Sequence, residues 1–504
     1  MKYRSMLLRL SSVAFAAAAL LSTAPVGPVG AAGLDPTLRV HPLLQTGAAV
    51  EPGKLVSVIV QTSRAGASAA QIAAGAGGTV EREFPDIRAF TMTASQQSLV
   101  ALGHNPNVRY VTPNAPVRVS SVDATQLKTT YETAAGIDRV WNSSTAPATG
   151  NGVTVAVLDT GVAVGHPDLQ PAQNNGTLIA VNVNAKALGG GDGHGHGTHV
   201  VGTIKGRDAL GRYIGVAPDS RVISVKVADD QGVATESDLV SGLKWVYDNR
   251  LTYNIRAINM SITSSVATPY TQSPINAYVE QLWMNGVAVV VSAGNLGSAA
   301  DAVNYPPAND PFVITVGALD DNQTAATSDD SLAPFSSHGI TQDGFAKPEV
   351  IAPGRKIVAP LANKNATLAV QLPDRITDGN YLRLSGTSMA APVVLGTLAL
   401  VLERYPSLTP NQLKGLLIQT AAAYPGKTDA AGTINPLSAL QFLATAGVVA
   451  PANQGLVLAS GVDPISGTVA STTQAYWNQA YWNQAYWNQA YWNQAATVDA
   501  TTID

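Results

Sequence analysis

The sequence predicts an α/β protein with a parallel sheet covered by helices on both faces, preceded by a smaller α+β unit. From 153 to 443, apolar strand-like runs at 153–158, 222–227, 257–260, 287–291 and 313–316 alternate with helical stretches. Runs that are apolar throughout are typical of parallel strands buried on both faces. In such a sheet, reactive side chains lie at the carboxyl ends of the strands.

The smaller unit begins at about residue 54. Strand-like segments at 55–60, 78–84, 89–92 and 108–111 are separated by helical segments at 67–74 and 95–102, and Ser95 suits the N-cap of the second helix. This strand-helix-strand, strand-helix-strand order predicts a ferredoxin-like α+β sandwich. The pattern alone indicates no function.

Composition and the N-terminus narrow the class of protein. A net charge of −4 gives no case for nucleic acid as a partner, and the absence of cysteine excludes disulfides, thiol nucleophiles and thiolate metal sites. A basic start, the apolar run 11–21 and small residues at 29–32 predict a signal peptide over 1–32, and therefore a secreted, extracellular protein. No apolar stretch reaches the roughly 20 residues of a membrane span.

The tail, 447–504, differs in kind from the rest and is interpreted as a linker followed by a low-complexity segment. Residues 475–494 are four consecutive copies of Ala-Tyr-Trp-Asn-Gln, and a period of five fits neither a strand nor a helix. Two interpretations remain open: a disordered tail, or an aromatic surface that adheres to glycans or to a cell surface.

Four residues carry the case for catalysis by serine. Asp159 opens an Asp-Thr-Gly motif after a strand, His196 lies in His-Gly-Thr-His-Val, Ser388 lies in Gly-Thr-Ser-Met-Ala-Ala-Pro before an apolar helix, and Asn295 ends Ala-Gly-Asn. A serine nucleophile needs a base, a carboxylate that orients the base, and donors for the oxyanion. Each residue alone has an ordinary interpretation as a turn or helix-cap residue.

In this order and at these separations, the motifs resemble those of the subtilisin family of serine endopeptidases, the subtilases. The resemblance runs from about 137 to 443 and implies a subtilisin-like catalytic domain at 121–446. It implies hydrolysis of peptide bonds through an acyl-enzyme, with Asp159, His196 and Ser388 as the triad and Asn295 as the oxyanion donor. No cofactor is required for that chemistry.

The resemblance also implies how protein or peptide substrates bind. Two segments match those between which a substrate strand lies in the family, pairing through backbone hydrogen bonds: Gly232, Val233 and Ala234, and Ser261, Ile262 and Thr263. The region 33–120 resembles the family's inhibitory propeptide. We therefore expect a self-processing zymogen, inhibited by its own propeptide and cleaved between Ala115 and Lys128. Glu236 matches the rim of a distant substrate pocket, where we expect it to favour a cation.

Other interpretations remain open. A catalytically silent subtilisin-like binding protein would use the aromatic tail, and a metal hydrolase would use the histidines at 194, 196 and 199. The loop 205–212 matches a family calcium loop in length, but Ala209 stands where an amide oxygen is common, and Lys205, Arg207 and Arg212 add positive charge. Structural calcium therefore stays an open expectation, without assigned ligands.

Overall fold

The computed structural model describes residues 39–63, 67–119, 130–143, 147–170, 177–184, 189, 191–208, 211–425, 430–445 and 448–459. The predicted signal peptide, 1–32, and the repeats at 475–494 lie outside the described residues.

The N-terminal unit has the predicted α+β topology. Its elements in chain order are α1 Pro42–Val50, β1 Leu55–Thr62, α2 Ala69–Gly75, β2 Val80–Phe84, β3 Ala89–Ser95, α3 Gln96–Ala101 and β4 Val108–Pro113. The four strands form an antiparallel sheet in the order β2-β3-β1-β4 over a core of its own, which is the ferredoxin-like arrangement. Ser95 caps α3 as expected, because its side chain accepts from the N–H of Ser98. Helix α1 lies upstream of the predicted unit.

The larger unit contains the remaining elements. Its helices are α4 Tyr131–Ala134, α5 Ile137–Trp141, α6 His196–Lys205, α7 Glu236–Asn249, α8 Pro274–Met284, α9 Thr367–Gln371, α10 Thr387–Arg404, α11 Pro410–Gln419 and α12 Pro436–Thr445. From the connecting segment onward, the strands are β5 Pro116–Val119, β6 Thr154–Asp159, β7 Leu178–Asn182, β8 Arg221–Lys226, β9 Val233–Thr235, β10 Ile255–Met260, β11 Ile262–Ser264, β12 Ala288–Ser292, β13 Ile314–Asp320, β14 Ser331–Leu332, β15 Gly339–Ile340, β16 Ala346–Lys347, β17 Val350–Pro353, β18 Ile357–Pro360, β19 Ile376–Thr377 and β20 Tyr381–Leu384.

The predicted parallel sheet is confirmed. The strand order is β14-β13-β12-β10-β6-β8-β7, with β17 also paired to β13, and among these described strands only β14 runs antiparallel to its neighbour. All five strands expected from apolar runs are present as β6, β8, β10, β12 and β13. The edge strand β7 is half-exposed and carries no continuous apolar signal. Helix α10 is long and apolar enough to cross a membrane by length and composition, yet 89% of it is buried inside the protein, as in a core helix.

The N-terminal unit docks on helices α7 and α8 of the larger unit. The Asn114 side chain accepts from the backbone N–H of Ser237 (2.8 Å), which satisfies a free donor in the first turn of α7. Asp86 pairs with Lys244 of α7 (3.1 Å) and accepts from the hydroxyl of Tyr278 on α8 (3.0 Å). The two units therefore meet through directed polar contacts.

The described segment 448–459 packs on the larger unit, beyond the predicted domain end at 446. Val449 and Ala459 are buried in its main core. The Asn453 amide donates to the carbonyl of Phe312 (2.8 Å), and the N–H of Ala459 donates to the buried carboxyl of Glu280 (2.6 Å). The catalytic unit thus extends at least to residue 459.

This packing predicts that two truncations behave differently. A chain ending at 459 should unfold like the full chain, whereas a chain ending at 447 should lose at least about 2 kcal/mol of unfolding free energy, because it exposes core surface and removes the donor to Glu280. Urea unfolding of the three chains makes the comparison. Equal stability of both truncations would show that the segment does not belong to the folded unit.

Candidate active site

The first feature of the site is a hydrogen bond between Asp159 and His196. Asp159 ends the central strand β6, and His196 is the first residue of α6. Asp159 Oδ1 lies 2.8 Å from His196 Nδ1, and both side chains are fully buried. The chain turns into α6 at Gly195 with φ 98°, and a Cβ on Gly197 would lie 2.2 Å from the carbonyl oxygen of Gly161. Glycine at both positions therefore lets the helix start beside the strand end.

Ser388 lies in the first turn of α10, at the same carboxyl edge of the sheet. Its hydroxyl donates to the carbonyl oxygen of Ser261 (3.4 Å), directly after β10, and the Ser261 hydroxyl donates to the carbonyl of Ser388 (3.0 Å). The first turn of a helix presents free N–H groups and the positive end of the helix dipole. Ser388 is therefore placed where negative charge on a bound group is stabilised.

Asn295 follows β12 and presents a free amide group beside this helix start. Its Oδ1 accepts from the backbone N–H of Thr387 (3.0 Å), and since that N–H can only donate, the amide orientation is fixed. Nδ2 is buried and has no hydrogen-bond partner among the described residues. An unpaired buried donor next to Ser388 is the group that an oxyanion requires.

The two expected substrate-binding segments flank a strand of the chain itself. β5 lies between β9 and β11 and pairs antiparallel with both: Val117 with Ala234 and Ser264, Arg118 with Val233 and Thr263, and Val119 with Ile262. Gly232 forms the turn before β9, and Ser261 precedes β11 at Ser388. All six predicted segment residues thus border one cleft.

The three histidines of the metal interpretation do not share a centre. His199 Nε2 lies within hydrogen-bond distance of the carbonyls of Ile357 (3.2 Å) and Leu382 (3.0 Å). Burial, assisted by His196, lowers the pKa of His194 to about 4 and that of His199 to about 3. Within the described ranges, no group of three or more His, Cys, Asp or Glu side chains is arranged to hold a metal ion.

Asp192 is a site residue that sequence reasoning did not single out. This buried carboxylate accepts four hydrogen bonds: from the hydroxyl of Thr160 (2.8 Å), the N–H of Gly195 (2.7 Å), and both the N–H (2.8 Å) and the hydroxyl (2.6 Å) of Thr198. Thr160 in turn accepts from the N–H of Gly197 (2.9 Å). Asp192 therefore ties the loop after Asp159 to the first turn of α6, on either side of the Asp159–His196 bond.

The loop that resembles a calcium loop contains an ion pair instead. Arg212 Nε donates to Asp208 Oδ2 (2.8 Å), and Arg212 Nη1 donates to Asp378 Oδ2 (3.1 Å). A guanidinium group thus satisfies a carboxylate that a calcium ion would require, so the described residues of this loop do not fit a metal ion. Ala209 lies outside the described residues.

Glu236 does not fit the expectation of a cation-binding rim. Its side chain is only 2% exposed and accepts from the Ser264 hydroxyl (2.6 Å). Burial raises the pKa of Glu236 to about 8, although the Ser264 hydrogen bond acts in the opposite direction. With β5 in the cleft, this carboxyl group is therefore mostly neutral at pH 7.

Comparisons with known proteins agree with this geometry. The model of the Subtilase family matches residues 150–442. Serine protease AprX of Bacillus subtilis is 38% identical over 282 residues, which cover 53% of this chain and 61% of AprX. Subtilisin DY of Bacillus licheniformis is 34% identical over 299 residues, 58% of this chain and 92% of the relative.

One solved structure is similar over a larger share of the chain. Fervidolysin from Fervidobacterium pennivorans, described as a keratinolytic enzyme related to subtilisin, has a TM-score of 0.60 at 26% identity. The match covers 80% of this chain and 62% of fervidolysin. The chain thus spans less than two thirds of AprX and of fervidolysin.

The network around Asp192 predicts a specific response to Asp192→Asn. Whichever way the new amide turns, its NH2 group faces a backbone N–H of Gly195 or Thr198 that cannot accept. We expect a loss of about 1–3 kcal/mol in unfolding free energy and a shift of the low-field proton NMR signal of the Asp159–His196 hydrogen bond.

A matched pair of variants controls for general disruption. Thr198→Ser keeps the hydroxyl that donates to Asp192 and should preserve the NMR signal, whereas Thr198→Val removes that hydroxyl and should move the signal toward its position in Asp192→Asn. An unchanged signal in Asp192→Asn would exclude a positioning role.

Proposed function

The chain belongs to the subtilase family, and from this membership and the geometry of the site we propose that it is a secreted serine endopeptidase made as a self-processing zymogen. Its substrates are proteins or peptides, whose bonds it hydrolyses through an acyl-enzyme. The observation that carries the proposal is strand β5, which lies in the cleft beside Ser388 as an extended peptide would.

The residues take the following roles. Ser388 Oγ attacks the substrate carbonyl carbon, and His196 accepts the hydroxyl proton and later donates it to the leaving amine. Asp159 accepts from Nδ1 of His196, which fixes the ring and stabilises its protonated form. Asn295 Nδ2 donates to the oxyanion as it forms. None of these steps uses a cofactor.

The N-terminal unit acts as an inhibitory propeptide in this proposal. Its sheet contacts α7 and α8 through Asn114 and Asp86, and the chain then continues through β5 into the cleft. A segment held there by the same chain competes with any external substrate. Inhibition therefore persists until the connection to the catalytic unit is cut and the N-terminal unit dissociates.

The remaining parts of the proposal concern the location of the protein, its partners and calcium binding. The predicted signal peptide supports export, the net charge of −4 favours no nucleic-acid partner, and the aromatic repeats offer a surface for glycan or cell-surface adhesion. Structural calcium does not fit the ion-paired loop at Arg212.

The role of Asn295 predicts a kinetic signature. Asn295→Leu should lower kcat by roughly 10² to 10³ with little change in KM, an estimate that comes from the equivalent amide of a subtilisin, a member of this family. Asn295→Asp keeps the acceptor for Thr387 but removes the donor, so it should lose kcat as well. Asn151→Leu, at an exposed turn before β6, serves as the control. An effect on KM alone would contradict the assignment.

The register of β5 predicts the maturation bond. Val119, the last described residue of β5, pairs with Ile262, and the residue before Ile262 is Ser261, whose carbonyl accepts from the hydroxyl of Ser388. We therefore expect the unmutated chain to cleave itself shortly after Val119, before Lys128. N-terminal sequencing of the mature protein checks this.

Ser388→Ala should fold but persist as an uncleaved precursor, because loss of the nucleophile costs about 10⁶ in kcat, a figure measured in a subtilisin. Fluorophosphonate labelling, present in the parent, should be absent in this variant. Cleavage of the purified variant at the same bond and rate would show that another protease matures the chain. An unlabelled parent would favour a silent binding protein.

A further inference from the structure

Two buried aspartates face each other where strands β13 and β14 end. These strands are antiparallel, with Leu319 paired to Leu332 and Asp320 to Ser331. Asp321 and Asp330 are the next residues along the two strands, so continuing the register by one step would place them opposite each other, and their carboxyl groups interact electrostatically. Opposite residues of an antiparallel pair point to the same face, with Cβ atoms about 5 Å apart. Both side chains are buried, Asp321 at 0% and Asp330 at 1% exposure.

Asp330 has no donor to compensate its burial. Neither of its carboxylate oxygens has a hydrogen-bond partner among the described residues. Its charged neighbours are Asp321, Asp329 and Asp320, and burial, followed by these carboxylates, raises its pKa to about 6. Burying a carboxylate without a partner is costly, and like charges directly opposite each other add to that cost.

The same turn presents further oxygen atoms. Asp321 Oδ1 accepts from the N–H and the amide group of Gln323 (3.1 Å each), while Gln323 Oε1 is buried and without a partner among the described residues. The guanidinium of Arg355 contacts Asp320. Among the described residues, this guanidinium lies near carboxyl groups at 320, 321, 329 and 330, and a further carboxyl group, that of Glu132, interacts electrostatically with Asp321.

We propose that Asp321, Asp330 and the side-chain oxygen of Gln323 bind a divalent cation, Ca²⁺ in preference to Mg²⁺. The donors are all oxygens, which excludes the nitrogen and sulfur sets typical of zinc. No three acidic or histidine side chains converge among the described residues, so two carboxylates and an amide form the protein part, with backbone or water oxygens completing the shell. Ca²⁺ accepts such irregular shells, whereas Mg²⁺ requires near-octahedral geometry.

The cation would also secure the start of the catalytic unit. Thr130, the first described residue after the segment 120–129, donates its hydroxyl to Asp321 Oδ2 (2.5 Å). A cation that fixes the Asp321 carboxylate therefore fixes this contact. The proposed ligands include no residue of the loop at Arg212 and none of the triad.

The test measures thermal unfolding of the full chain carrying Ser388→Ala, which prevents self-digestion, in EGTA and in increasing Ca²⁺ or Mg²⁺. At a hundredfold excess over the dissociation constant, Ca²⁺ should raise Tm on the order of 5 °C, and Mg²⁺ by much less. Asp330→Asn and Asp321→Asn should abolish the Ca²⁺ response. Asp208→Asn, in the loop that resembles a calcium loop, should keep it.

A lower stability of the variants is not expected to obscure the Ca²⁺ response. Removing one of two facing charges should leave Asp330→Asn at least as stable as its parent in EGTA. An equal Ca²⁺ response in Asp330→Asn would overturn the proposal. So would a parent whose Tm does not respond to Ca²⁺. The readout is independent of peptidase activity, so failure of the proposed function would not affect it.

Discussion

The buried hydrogen bond between Asp159 and His196 determines how precisely the surrounding elements of the larger unit must be positioned. It joins the end of a central strand to the first residue of a helix, so both elements must be held in place without help from water. Gly197 permits the close approach, and Asp192 ties the two backbones together through Thr160 and the N–H groups of α6. A carboxylate is required there because every neighbour is a donor, and an amide would meet a backbone N–H.

The cleft imposes a second constraint, on unpaired strand edges. β9 and β11 each expose backbone donors and acceptors on facing sides, and β5 satisfies both sets at once. Backbone pairing of this kind depends little on side chains, so one geometry serves the proposed propeptide and varied substrates alike. Because β5 belongs to the same chain, its effective concentration exceeds that of free peptides. Contacts of the N-terminal unit with α7 and α8 keep it there.

Short local motifs made the central residues predictable from sequence. Asp159, His196, Ser388 and Asn295 each follow a strand or begin a helix, so strand order alone places them at one edge. Asp192 was missed because its role depends on donors that meet it only in the folded chain. The burial of Glu236 was not predicted because it depends on how the chain packs around the cleft. The packing of segment 448–459 on the larger unit was not predicted because this segment has no periodic pattern. Strand β7 was missed because it is half-exposed at the sheet edge.

Some buried carboxylates of this protein have a cationic side chain as a partner, and one pair of buried carboxylates has none among the described residues. Burial alone would raise the pKa of Glu349, but the ammonium groups of Lys347 (2.6 Å) and Lys414 (2.7 Å) lower it below its ordinary value. Arg212 likewise forms an ion pair with the buried carboxylate of Asp208 (2.8 Å). In both places a side chain supplies the cation within the fold. Among the described residues, no lysine or arginine forms an ion pair with Asp321 or Asp330, and neither carboxylate oxygen of Asp330 has a hydrogen-bond partner. The proposed divalent cation would supply the missing positive charge there.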